Sequence, residues 1–120
     1  MKWIDLWCKE YDIEDPETID AVYDWINDET IGLCTFHYGD AHMPRWCWIQ
    51  ITDVFKGYPL VTKCVLWHEF CHAEIWIKEG RSDGHGWEWN KRLWRKPILY
   101  ILDNTYTKLL FAILKSHRGQ

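Results

Sequence analysis

The chain contains no C-x-x-C pair, although it carries five cysteines, at Cys8, Cys34, Cys47, Cys64 and Cys71. An odd number at irregular spacing offers neither a zinc ribbon nor a disulfide framework, so free thiols in a reducing cytoplasm are expected. No stretch approaches the roughly 18 apolar residues that a membrane span requires, so no membrane partner is expected. The opening residues, MKWIDLWCKEYDIEDPE, place acids where a secretory leader has its apolar core, which argues against such a leader. Positive charge is scarce too, with 14 Lys and Arg against 18 Asp and Glu and a net charge of -4. Neutralising phosphates needs clustered cations, so this is a poor composition for gripping nucleic acid unaided. The short basic runs at Lys91-Arg92 with Arg95-Lys96 and at Lys115 to Arg118 read as solvated faces.

Repeats, low-complexity stretches and linkers are also missing, and 120 residues suit one domain over 1–120. Hydrophobic residues at 48% and charged residues at 27% mark an ordinary globular composition. Tryptophan is in excess, with 10 residues. Wide rings fill the core of a short chain, and some of them can line a substrate groove.

Hydrophobic spacing sets out the elements. Residues 3–11 predict a short helix with Trp3 and Trp7 on one side. Asp15-Pro16 resembles a helix start, and Ile19, Val22, Tyr23 and Ile26 at helical spacing predict a helix over 16–27. Thr30 to Tyr38 and Arg45 to Thr52 are rich in strand formers and alternate, which predicts a pair of antiparallel strands. After Gly57-Tyr58-Pro59 a helix is predicted over 60–79, with Val61, Val65, His68, His72 and Ile75 on one stripe and Gly80 as its stop. A glycine-rich loop, Glu79 to Gly86, leads to a helical stretch from Trp87 to Trp94. Residues 98–103 fit a strand or a helix equally. Tyr106, Leu109, Leu110, Ile113 and Leu114 predict a C-terminal helix over 104–117. The fold class is α+β, a small antiparallel sheet packed on helices.

The chemistry concentrates in His68-Glu69-Phe70-Cys71-His72, an H-E-x-x-H motif. On a helix, residues four apart lie on one face, so two imidazoles can reach one zinc ion at about 2.0–2.1 Å. Glu69 is displaced around the helix and suits a general base acting on a water beside the metal. A third ligand is needed, and His85, between Gly84 and Gly86, is the candidate: the glycines let the backbone turn tightly. His37 and His42 have no spacing that brings them to the helix. The bland alternative is a pair of hydrogen-bonded core histidines. Cys71 reads as a small buried residue. Asp83 either accepts a hydrogen bond from a ligand histidine or only shapes its loop. Tyr38, His37, His42 and Arg45 are candidate transition-state donors at the sheet end.

H-E-F-C-H, a loop, then H-G-W-E-W resembles the SprT-like metallopeptidase family, whose pattern is H-E-x-x-H followed by H-G-x-x-aromatic. The resemblance covers roughly residues 15–95. It implies a zincin-like active-site helix, Zn2+ held by His68, His72 and His85, catalytic Glu69, and Trp89 packed behind the His85 loop. It also implies a protein or peptide substrate and a bacterial or phage-infected cell. Some members act on proteins crosslinked to DNA; the negative charge here and the missing four-cysteine element and basic tail do not support that association. The C-terminal helix lies outside the resemblance. Metzincins need a histidine where this chain has Lys78, and the glutamate of gluzincins would have to be Glu88, which is less well placed than His85.

The expected function is therefore a zinc-dependent endopeptidase. The alternatives are a catalytically weak, zinc-stabilised protein-binding module of a phage or mobile element, and a metal-dependent nuclease, which the charge disfavours.

Overall fold

The computed structural model describes residues 1–27, 29–82 and 84–118, without the side chains at 106–108, 110, 111, 114, 117 and 118. The first helix, α1 (Lys2–Glu10), buries Ile4, Trp7 and Cys8, the i, i+3, i+4 stripe of an amphipathic helix. Trp7 meets Trp67 edge-on at 5.1 Å between ring centroids and Phe70 at 5.5 Å.

The helix expected over 16–27 does not form. Asp15 does cap a turn, its carboxylate accepting from the Glu17 N–H at 3.0 Å, but only the single 3-10 turn Pro16–Thr18 results. The chain then enters β1 (Ile19–Tyr23). Ile19 and Ala21 point into the core at 3% and 6% exposure while Asp20 between them is exposed. The period-two pattern and the β-branched Ile19 and Val22 satisfy a sheet, and tertiary pairing overrides the local helical spacing.

β2 (Gly32–His37) and β3 (Trp46–Ile51) pair antiparallel, as expected, with Cys34 opposite Ile49. β1 adds to the other side of β3 in parallel, Ile19 opposite Cys47 and Tyr23 opposite Ile51. The three-stranded sheet has the order β1-β3-β2, so it is mixed rather than purely antiparallel. Cys47, Ile49 and Ile51 form the core face of the central strand, all at 0% exposure.

The long α2 (Pro59–Glu79) packs on that face. Proline at its first turn and Gly80 in the left-handed region, φ 68°, mark its ends, as the fixed φ of proline and the missing Cβ of glycine favour. Leu66, Trp67, Phe70 and Ile75 are all fully buried on it, and burial of each such side chain is worth about 1.5–3 kcal/mol. Tyr23 of β1 donates to Thr62 Oγ1 at 2.9 Å, and Thr62 donates to the Phe55 carbonyl at 3.0 Å, tying the start of α2 to the sheet.

Two helices complete the fold, α3 (Trp87–Leu93) and α4 (Pro97–Arg118). The ambiguous stretch 98–103 is helical and continuous with the C-terminal helix. Leu99 and Asp103, one turn apart, are buried at 6% and 7% exposure. Of the stripe expected on this helix, Leu109 is exposed and Ile113 half-buried, whereas the side chains of Tyr106, Leu110 and Leu114 lie outside the described residues. Tryptophan divides its roles: Trp7, Trp67, Trp76 and Trp89 are core, whereas Trp25, Trp87 and Trp94 are exposed. Among the described residues no helix is long and apolar enough to cross a membrane.

Candidate metal centre

His68 and His72 sit one turn apart on α2, with ring centroids 5.3 Å apart. The loop after α2 brings His85 to them, its ring centroid 5.2 Å from each. One nitrogen from each of the three imidazoles lies within 4.8 Å of the others. Among the described residues this is the one group of three or more His, Cys, Asp or Glu so placed. Three imidazoles converging from a helix and a loop are a fitting donor set for a borderline-soft divalent ion. The group can bind a metal.

The return of the loop has identifiable causes. Gly80 and Gly84 both take positive φ, 68° and 57°, a conformation that glycine adopts without steric penalty. Arg92 on α3 reaches back to α2, with Nε 3.2 Å from Glu74 Oε1 and Nη2 3.0 Å from Glu79 Oε2. This pins α3 beside the end of α2 and so sets where the loop must end. Asn90 Nδ2 donates to the His85 carbonyl at 3.3 Å, holding the His85 turn to α3.

Trp89 backs the whole group. Its ring centroid lies 4.7 Å from that of His68, 5.0 Å from that of His72 and 4.5 Å from that of His85, and it is nearly parallel to His72 at 14°. Its Nε1–H donates to the His68 carbonyl at 3.1 Å. One buried indole thus stands against all three rings.

Glu69 is 7% exposed. Burial, with a contribution from Asp103 and against the opposing effect of His68, pushes its carboxyl up to about 7. Its Oε1 is 4.0 Å from His68 Nε2. His85 is held below the ordinary imidazole value by burial and by His68, a direction that favours the neutral ring a metal needs. For His68 burial works against the charge, but the hydrogen bond and charge of Asp103 and the charge of Glu69 outweigh it and raise the pKa.

Two cavities border the group. One, of about 290 Å³, is lined by Leu33, Cys34 and Phe36 of β2 together with His72 and Ser82. The other, of about 270 Å³, is lined by Glu29, Thr30, Ile31, Val65 and Asp103. Both share Gly32, His68, Glu69 and His85, so a cleft runs along β2 with the histidines at its middle.

The remaining sequence candidates stand elsewhere. His37 and His42 are outside the three-histidine group; His37 stacks on Trp46 at 3.8 Å. Arg45 is a helix cap, its Nε donating to the Trp76 carbonyl at 3.0 Å and its Nη2 to the Ile77 carbonyl at 3.0 Å. Tyr38 packs edge-on against Trp76 and lines neither cavity. Glu88 is paired with Arg92 at 3.0 Å. Cys71 is fully buried, and burial raises its pKa, as suits a core thiol. Asp83 lies outside the described residues. Two residues escaped the sequence reading. Asp103 Oδ2 lies 3.0 Å from His68 Nδ1, and no spacing signals a contact 35 residues away. Gly32 borders Glu69; a glycine inside an otherwise strand-forming run was the available hint.

The chain has no match among curated proteins or among solved structures. A family model does match residues 20–97, well over half of its length, and covers both the H-E-x-x-H helix and the His85 loop. With that match added to the fold and the three-histidine group, the chain belongs to the SprT-like family.

Proposed function

We propose that the protein is a zinc-dependent endopeptidase in which His68, His72 and His85 hold the ion and Glu69 is the general base. When bound, zinc supplies a Lewis acid that brings the pKa of water to about 7 and polarises a carbonyl. The protein's own residues do the rest. Glu69 takes a proton from the attacking water and returns it to the departing amine nitrogen. Its carboxyl, 4.0 Å from His68 Nε2, stands where it can relay that proton between the water and the amine. Trp89 and the hydrogen-bonded His85 turn keep the three rings in place.

The cleft supports a peptide as substrate. β2 is an edge strand, pairing only with β3 among the described residues. An extended chain can lie beside it through main-chain hydrogen bonds, which would carry its carbonyl past Glu69. Because cavities flank the histidines on both sides, a substrate chain can continue in both directions, which favours cleavage within a chain over trimming of its ends. The net charge of -4 favours a protein over a nucleic-acid substrate.

The observation that carries this reading is Glu69 itself. A carboxyl buried beside three imidazoles is costly to ionise, and a metal that only stabilised the fold would have no use for it. The test compares wild type with Glu69→Gln on an unfolded protein substrate, with zinc content measured in both. Glu69→Gln is expected to keep its zinc and lose about 100- to 10,000-fold in rate. Equal cleavage by the two proteins would overturn the mechanism.

A further inference from the structure

We propose that Asp103 is a positioning residue of the metal centre, and that α4 is thereby a working part of the site. The inference rests on the three histidines being metal ligands. Asp103 lies beyond the stretch matched to the family, residues 20–97, on a helix that the sequence alone assigns no task.

The geometry is specific. Asp103 is 7% exposed, and its Oδ2 lies 3.0 Å from His68 Nδ1. With the carboxylate as the accepting partner, the hydrogen between them sits on Nδ1. The lone pair of the neutral ring is then on Nε2. That atom is on the cleft side, 4.0 Å from Glu69 Oε1. Asp103 therefore selects the tautomer and fixes the ring rotation of His68 with its free lone pair toward Glu69. A carboxylate that orients a ligand imidazole also raises its basicity, and loss of such partners weakens metal binding by about 10- to 100-fold.

Packing alone does not account for an aspartate here. Leu99, one turn earlier and 6% exposed, already supplies apolar burial on α4. A second apolar side chain would extend that contact, whereas a buried carboxylate is costly unless a partner meets it. The partner is His68. Contact between α2 and α4 thus carries an orienting hydrogen bond as well as hydrophobic burial.

The experiment uses the full chain as wild type, Asp103→Ala, Asp103→Asn and Leu99→Ala. Zinc affinity is measured by competition with a chromophoric chelator. The His68 tautomer is read in metal-free protein from long-range nitrogen–proton NMR correlations, and helix content from circular dichroism. Asp103→Ala is expected to bind zinc about 10- to 100-fold more weakly and to lose the Nδ1–H preference of His68 while keeping its helix content. Asp103→Asn, whose amide oxygen still accepts, is expected to retain most of both. Leu99→Ala disturbs the same helix contact without touching His68 and is expected to bind zinc like wild type.

Unchanged affinity and tautomer in Asp103→Ala would overturn the proposal. So would a loss in Leu99→Ala equal to that in Asp103→Ala, which would make α4 a packing element only. Because the tautomer is read without metal, the two readings fail separately. Wild type that took up no zinc would end the metal-centre reading. An Nδ1–H on His68 that ignored residue 103 would end this one.

Discussion

Gly32 lies flush against Glu69. A Cβ placed on Gly32 would stand 3.3 Å from both Cγ and Oε1 of Glu69 and 2.6 Å from Cγ1 of Val65. The first residue of β2 is therefore bare where the buried carboxyl needs room. Gly32→Ala adds one methyl group and removes no chemical function. It should displace Val65 and turn the Glu69 carboxyl, with an overpacking cost of about 1–3 kcal/mol. Zinc content should stay at the wild-type level while kcat falls more than KM changes. Steady-state kinetics with denaturant unfolding checks this; full activity in Gly32→Ala would mean that the carboxyl's position is not critical.

Glu74 anchors α3 to α2. It is 1% exposed, and its carboxylate meets Arg95 Nη2 at 2.6 Å, Arg92 Nε at 3.2 Å and Lys78 Nζ at 3.0 Å. Burial alone would raise its pKa, but Arg95 and Lys78 outweigh burial and lower it. Glu74→Ala removes a buried carboxylate shared by three cations, of which Arg92 keeps Glu79 and Glu88, and should destabilise the fold by about 1–3 kcal/mol. Since Arg92 also sets the stem of the His85 loop, zinc affinity should fall with stability. Urea unfolding and metal titration of Glu74→Ala check the two effects, and a stability loss below about 1 kcal/mol would show the network to be no more than surface pairing.

Metal-free protein should lose stability as pH rises from about 4.5 to about 7, in part through Glu69. In the folded chain this carboxyl keeps its proton up to about 7, against 4.5 as its ordinary value. Over that interval the folded state holds the proton and the unfolded state has released it, so raising the pH favours unfolding; above about 7 the loss is complete. Its size is on the order of 3 kcal/mol. Glu69→Gln cannot release that proton and should be spared this part of the decline. Urea unfolding of both metal-free proteins at about pH 5 and about pH 8 measures the difference; a gap that does not widen with pH would contradict the buried, proton-holding carboxyl.

Much of the site was legible because it is local. The H-E-x-x-H spacing acts within one helix, and that helix announces its ends through Pro59 and Gly80. His85 was legible through the glycines beside it, and Trp89 through the motif it closes. What escaped was long-range. Asp103 meets His68 across 35 residues, at the end of a stretch, Ile98 to Asp103, whose spacing did not separate strand from helix. Arg45, one of four candidate donors by its place at the sheet end, caps α2, which depends on how the end of that helix meets the sheet. Ile19, Val22, Tyr23 and Ile26 do fit a helix. The strand conformation of Ile19, Val22 and Tyr23 is imposed by β3, whose residues Cys47 to Ile51 pair with Ile19 to Tyr23 in register.

The most direct measurement is the zinc content of wild type and His85→Ala, each loaded with excess zinc, freed of unbound metal and analysed by mass spectrometry. If three imidazoles hold a single ion, wild type retains about one zinc per chain and His85→Ala, with the same helix content, retains almost none. Wild type without zinc, or His85→Ala with a full complement, would contradict the account.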